Sequence, residues 1–231
     1  MRPWLTLKQA GARFETETVA LPHMHRVADS FADSTDQVEI APTPLSERRA
    51  LGSVHGLFPV LRVDGVPIHE SLAICEYVAE AFPEAGLWPE GSIDRARARA
   101  ISCEMVGGFL KMRDEMSCHL FGRVPDFSPS APVLADISRV FEIWNECLDR
   151  SGGPFLFGKF SIADAMYFPV LTRFRTYGIP LTGHAAEYAV SLDTSPAVQQ
   201  LVKVASEEPR IPVYDDYVSR LGGDPDSALP R

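Results

Sequence analysis

Apolar residues recur at steps of three and four along most of the chain, the spacing of one helix face. Ile101, Met105, Phe109, Met112 and Met116 mark a helix over 93–118, with Gly107-Gly108 inside it and close helix packing as the compensation. Leu134, Ile137, Val140, Phe141, Trp144 and Leu148 mark a second over 132–149, ended by Gly152-Gly153. "FSIADAMYFPVLTRF" (160–174) predicts a third, with Ser161 and Asp164 spaced as a capping box and Pro169 expected to kink it. Shorter helices are expected over 184–192 and 196–207, then a frayed tail from Gly222.

The first third has a different rhythm. "RPWLTLKQAG" (2–11) reads as a helix, with Pro3 in its first turn, an apolar side of Trp4, Leu5 and Leu7, and Gly11 as the stop. Residues 13–21 predict a strand on an exposed edge. Residues 22–57 are loop-like, with one short helix expected within 44–53. "FPVLRVDGVPIHE" (58–70) alternates around Asp64-Gly65, a hairpin signal. A helix follows over 70–83, with Ser71 as its N-cap, Ile74, Tyr77, Val78, Ala81 and Phe82 inward, and Glu76 and Glu80 outward. The predicted organisation is a small mixed α/β domain (1–83), a Pro/Gly-rich linker (84–92), an all-helical domain (93–221) and a tail (222–231), without internal repeats.

Composition narrows the function classes. The chain has 231 residues, 45% of them hydrophobic, a net charge of −9 and a pI near 5.2. That balance argues against nucleic acid as a partner, since the basic run "DRARARA" (94–100) spreads its arginines around a helix as a solvated rim. No apolar run suits a membrane span, and no secretory leader is evident. Cys75, Cys103, Cys118 and Cys147 form no C-x-x-C and read as reduced thiols in a cytoplasmic protein. No metal site is expected, and "HMH" (23–25) lacks a matching cluster.

The set "FPVL…DG…I.ES.AI.EY…FP…LWP", with "RPWLTLKQAG", "EMVGGF" (104–109) and "FSIADAMY" (160–167), resembles the glutathione S-transferases across most of the chain. The resemblance implies a thioredoxin-like N-terminal domain, here incomplete, and a helical-bundle C-terminal domain. It implies a cytoplasmic homodimer with glutathione as substrate and a small-molecule electrophile as acceptor. Residue chemistry is compatible. A cis bond at Phe58-Pro59 has only a small energetic cost, and it turns the Val60 backbone toward an edge where an extended tripeptide can pair. The helix start at Ser71 suits a carboxylate, and Glu70 suits an ammonium. The implied glutathione-binding residues are therefore Pro59, Val60, Glu70 and Ser71. Each has a plainer reading beside it: Ser71 as a cap, Pro59 as a fold determinant, Asp164 as a cap rather than a catalytic acid. Met105, Phe109, Met112 and Met116 read as core, one or two of them lining the acceptor pocket by the resemblance.

The family works by presenting a thiolate, the nucleophilic form of a thiol. The resemblance places its catalytic Ser, Tyr or Cys shortly before the Arg-Pro, where this sequence has Met1 and Arg2. No catalytic residue is assigned on this basis, and the first strand is expected to be missing too. Three explanations stand: a start placed too far downstream, by about 10 to 20 residues; a non-catalytic binding or assembly module; or an active chain with a substitute group. Other departures are His55 where Lys or Arg precedes Val in the family, Val106-Gly107 in place of His-Ser, and a longer loop over 22–57.

Overall fold

A computed structural model describes residues 1–18, 45–50, 52, 53 and 56–227. Helix α1 (Arg2–Gln9) has Pro3 in its first turn and ends before Gly11, which adopts a φ of +69°. It is followed by α2 (Leu45–Ala50) and a two-stranded antiparallel hairpin, β1 (Val60–Val63) and β2 (Val66–His69). The turn residues Asp64 and Gly65 have φ of 48° and 81°, and positive φ at both positions is what a type I′ turn requires. The resulting register pairs Val63 with Val66 and Val60 with His69.

Helix α3 (Ser71–Ala81) packs on both the hairpin and α1. Ile74, Cys75 and Val78 form its buried side, whereas Ala81 and Phe82 are exposed, contrary to the periodicity, because the helix ends there. Glu80 faces out as expected. Glu76 is half-buried and accepts from Trp88 Nε1 at 2.9 Å and from Arg99 Nε at 2.7 Å. A 3-10 turn (Pro83–Ala85) leads into the 84–92 connector, which is anchored by buried Leu87 and Trp88.

The chain then forms α4 (Ser92–Gly107), α5 (Leu110–Glu115), α6 (Ala131–Ser151), α7 (Ile162–Thr176), α8 (Gly183–Thr194), α9 (Pro196–Glu207) and α10 (Pro212–Arg220). Helix α7 is buried on nearly every side, as expected of a helix apolar all round, and it continues through Pro169. Trp144 of α6 meets Tyr167, Phe174 and Tyr188 at ring separations of 5.1 to 6.3 Å, joining α6, α7 and α8. Helix α1 packs against α3, α7 and α9, so the small hairpin unit and the helical bundle share one core.

Further expectations need correction. Residues 13–18 form no strand; a strand needs a ladder partner, and this segment instead lies on α1 through side chains. Phe14 meets Trp4 edge-on at 6.0 Å, and Trp4 Nε1 donates to Thr16 Oγ1 at 3.2 Å. The helix over 93–118 is broken at Gly108 and Phe109. A Cβ on Gly108 would lie 2.7 Å from the Glu104 carbonyl oxygen, and Phe109 takes a left-handed φ of 57°. Leu134 is largely exposed on the first turn of α6, where the bundle does not cover it. Helix α10 was not anticipated, and the segment from Gly222 is not frayed through Ser227. Asp224 pairs with Arg123 through two backbone bonds of 2.8 Å. The residues 19–21 of the expected strand, the "HMH" stretch and His55 lie outside the described residues.

Candidate functional site

The hairpin register builds the site. Val60 stands opposite His69, so Pro59-Val60 at one strand end lies beside Glu70 and Ser71 at the start of α3. The Phe58-Pro59 bond is cis. Glu70 has φ 60° and ψ 148°, a conformation that costs about 1–3 kcal/mol outside glycine and persists only where surroundings enforce it. The enforcement is visible. Glu70, not Ser71, caps α3: both carboxylate oxygens accept from Leu72 N at 3.1 Å, and Ser71 Oγ donates to Glu70 Oε1 at 2.6 Å. Ser71 is instead the first helical residue, because a side-chain carboxylate one position earlier reaches the orphan amide first. The pair therefore presents a fixed carboxylate at a helix start, with the first-turn amide of Ser71 lacking an intrahelical acceptor.

The thiols divide by environment. Burial pushes Cys75 up to about 11, even though a contact with Thr6 Oγ1 at 3.2 Å pulls the other way. Burial likewise pushes Cys147 up to about 11, so both are protonated packing residues at neutral pH. Ser161 and Asp164 make a capping arrangement at α7: Asp164 Oδ2 accepts from Ser161 N and Oγ, each at 2.8 Å, and Oδ1 accepts from Leu156 N at 3.1 Å. Met105, Phe109, Met112 and Met116 are all buried. Among the described residues no cluster of His, Cys, Asp or Glu could hold a metal, and no helix is long and apolar enough to cross a membrane.

Three arginines escaped the sequence reading. Arg2 of α1, Arg113 of α5 and Arg173 of α7 lie within electrostatic reach of one another, and Arg2 lies within reach of Glu70. Apolar periodicity does not register them, because each lies beside a helix stripe rather than in it. The surface grooves at Gln9–Gly11 with Ala81–Ala85, of about 450 Å³, and between α7 and α9, of about 290 Å³, lie away from Glu70 and Ser71.

Comparison with known proteins decides the family. The glutathione S-transferase N-terminal domain matches residues 1–81, and the glutathione S-transferase C-terminal domain matches residues 93–201. The chain belongs to the glutathione S-transferase family. Its fold is that family's thioredoxin-like and helical architecture. A glutathione transferase from Methylococcus capsulatus superposes with a TM-score of 0.63 at 25% identity, covering 90% of this chain and 94% of that one. A glutathione transferase homologue from Burkholderia, solved with bound glutathione, superposes with a TM-score of 0.63 at 21% identity, covering 90% and 91%. Among curated relatives, maleylacetoacetate isomerase of Dictyostelium discoideum is 30% identical over 115 residues, 48% of this chain and 49% of that protein. That of Rhizobium meliloti is 53% identical over 47 residues, 20% of this chain and 22% of that protein. The chain spans 22% to 50% of the length of the curated relatives it matches. In this glutathione S-transferase family member the "FPV" (58–60) and "ES" (70–71) stretches lie within the matched N-terminal domain.

Proposed function

We propose that this protein binds glutathione and transfers it to a small electrophile. Residues 1–83 are the glutathione-binding unit, and 93–221 supply the acceptor wall. The observation that carries the reading is the register pairing Val60 with His69, which sets a strand edge beside the carboxylate-capped start of α3. Pro59 and Val60 hold the cysteinyl backbone as an added strand. Glu70 takes the γ-glutamyl ammonium, held in place by the Ser71 hydroxyl, and the first-turn amide of Ser71 faces the ligand's carboxylate. The thiolate attacks the electrophilic carbon, a C–S bond forms, and the leaving group departs with the bonding electrons. The protein acts in the cytoplasm as a homodimer.

Calorimetry with glutathione tests the binding site. Glu70→Gln and Ser71→Ala each weaken binding at least fivefold, about 1 kcal/mol, as expected for charged hydrogen bonds. Unchanged affinity in both variants would sink the assignment. Conjugation of 1-chloro-2,4-dinitrobenzene then separates an enzyme from a binding module on the same fold.

A second reading is glutathione-linked isomerisation. It is favoured by the relatives named maleylacetoacetate isomerase. Turnover of a cis-enone without net consumption of glutathione supports it over transfer.

A further inference from the structure

Arg2 Nε donates to the Met166 carbonyl at 3.2 Å, and Arg173 Nη1 donates to the Pro169 carbonyl at 3.1 Å, so two guanidinium groups are tied to carbonyls about one turn apart on α7. Arg173 Nε also donates to the Met116 carbonyl at 2.7 Å, at the end of α5. Arg113, one turn earlier on α5, donates to the Met105 carbonyl. Cys118 Sγ reaches the same Pro169 carbonyl at 3.9 Å. Four elements thus bring three guanidinium groups into one corner of the molecule.

Their charges are not balanced. Among the described residues none of the three forms an ion pair with a carboxylate, and their acceptors there are carbonyl oxygens and one methionine sulfur. Burial, and then the charges of Arg113 and Arg173, hold Arg2 down to about 10. Burial, and then Arg173, lower Arg113 as well. A guanidinium in a protein carries its charge at neutral pH. The carboxylate whose charge Arg2 feels is Glu70, which is already committed to Leu72 and Ser71. Half-buried like charges without a counter-charge are costly, and an anionic ligand would offset that cost. Carbonyls fix each guanidinium but do not neutralise it. Arg2 uses Nε alone in these bonds and Arg173 leaves Nη2, so planar N–H donors remain for bidentate contact with a carboxylate.

We infer that Arg2, Arg113 and Arg173 form a receiving site for the carboxylate of an anionic acceptor substrate, beside the glutathione site. The inference rests on the proposed function for the reaction the acceptor enters, but the anion site itself stands on the arginines.

The test is calorimetry on the intact protein with two matched probes, 4-chloro-3-nitrobenzoate and 4-chloro-3-nitrobenzamide. Each is titrated with and without saturating S-methylglutathione, which occupies the glutathione site without reacting. The acid is expected to bind at least tenfold more tightly than the amide. Arg113→Gln and Arg173→Gln reduce that preference to less than threefold and leave S-methylglutathione affinity within twofold. Arg173 also ties α7 to α5, so melting curves accompany both variants and Arg113→Gln decides if Arg173→Gln is unfolded. Equal affinity for acid and amide in the parent protein, or binding of neither, overturns the inference. So does a loss of S-methylglutathione affinity in the variants with the acid preference intact, which assigns the arginines to glutathione instead. An acid preference that persists while S-methylglutathione fails to bind upholds the anion site and removes the proposed function.

Discussion

Asp164 is fully buried yet accepts three hydrogen bonds, from Leu156 N, Ser161 N and Ser161 Oγ. Burial raises its pKa to about 6 against the pull of those donors. The folded protein therefore holds a proton that the unfolded chain releases at lower pH. This group's contribution to stability is full below the unfolded value near 4 and is lost as pH rises through about 6. The span amounts to about 3 kcal/mol. Asp164→Ala should destabilise the protein, by about 2–4 kcal/mol at pH 4.5, because two buried amides lose their acceptor. The deficit relative to the parent protein should shrink by pH 7. Denaturant unfolding at both pH values measures this, and parallel stability curves for parent and variant would contradict it. Glu70 behaves differently, because its carboxylate caps α3 at the surface of the proposed glutathione site. Glu70→Gln removes charge while keeping an acceptor for Leu72 N, so it should change ligand binding far more than the melting temperature.

Gly107 and Gly108 look alike in the sequence and differ in the fold. A Cβ on Gly107 meets nothing within 4 Å, whereas one on Gly108 falls 2.7 Å from the Glu104 carbonyl oxygen that accepts the Gly108 amide. Gly107→Ala should stabilise the protein by up to about 1 kcal/mol through helix propensity. Gly108→Ala should destabilise it by about 1–3 kcal/mol, since the carbonyl cannot yield without losing its bond. Chemical denaturation of the two variants should therefore give shifts of opposite sign. This pair also explains what periodicity can and cannot reveal. The Met105, Phe109, Met112 and Met116 stripe correctly marks the buried face, but a stripe does not report a break in the axis along it. The hairpin was fully legible because Asp-Gly dictates its turn and the turn dictates register. The strand expected over 13–21 is absent from its described part, 13–18, because β propensity describes a residue, while a strand is a relation to a partner. In the site, Glu70 and Ser71 were found as a pair, but which of them caps α3 depends on one φ angle that no spacing encodes. The arginine cluster was invisible for a related reason: Arg2, Arg113 and Arg173 come from three helices and meet only after folding.

Helix α10 and the segment after it are far from α5 in sequence, yet a polar network makes them one unit. His119 Nδ1 accepts from Phe121 N at 3.2 Å and Gly122 N at 2.7 Å, which leaves Nε2 as the donor to Asp215 Oδ1 at 2.7 Å. Arg210 joins Asp215 at 3.1 Å, and Tyr217 of α10 donates to the Glu115 carbonyl of α5 at 2.9 Å. Burial alone would raise the Asp215 pKa, but Arg210 and His119 hold it below the ordinary carboxylate value. Its stabilisation is accordingly present above the unfolded pKa and is lost as pH falls through the folded one. His119→Ala leaves two amides without their acceptor and Asp215 with Arg210 alone, and it should cost about 2–4 kcal/mol. The distribution of the damage is the sharper expectation. Because Arg123 and Asp224 are paired by backbone and Tyr217 holds the end of α5, loosening at His119 should spread to both chain segments together. Hydrogen exchange of His119→Ala should accelerate in 110–124 and in 212–224, with α6 and α7 protected as before. Faster exchange confined to 212–224 would mean that α5 and the Arg113 it carries are positioned by the bundle alone. Matched acceleration would mean that α10 holds α5, and with it the proposed acceptor site, in place.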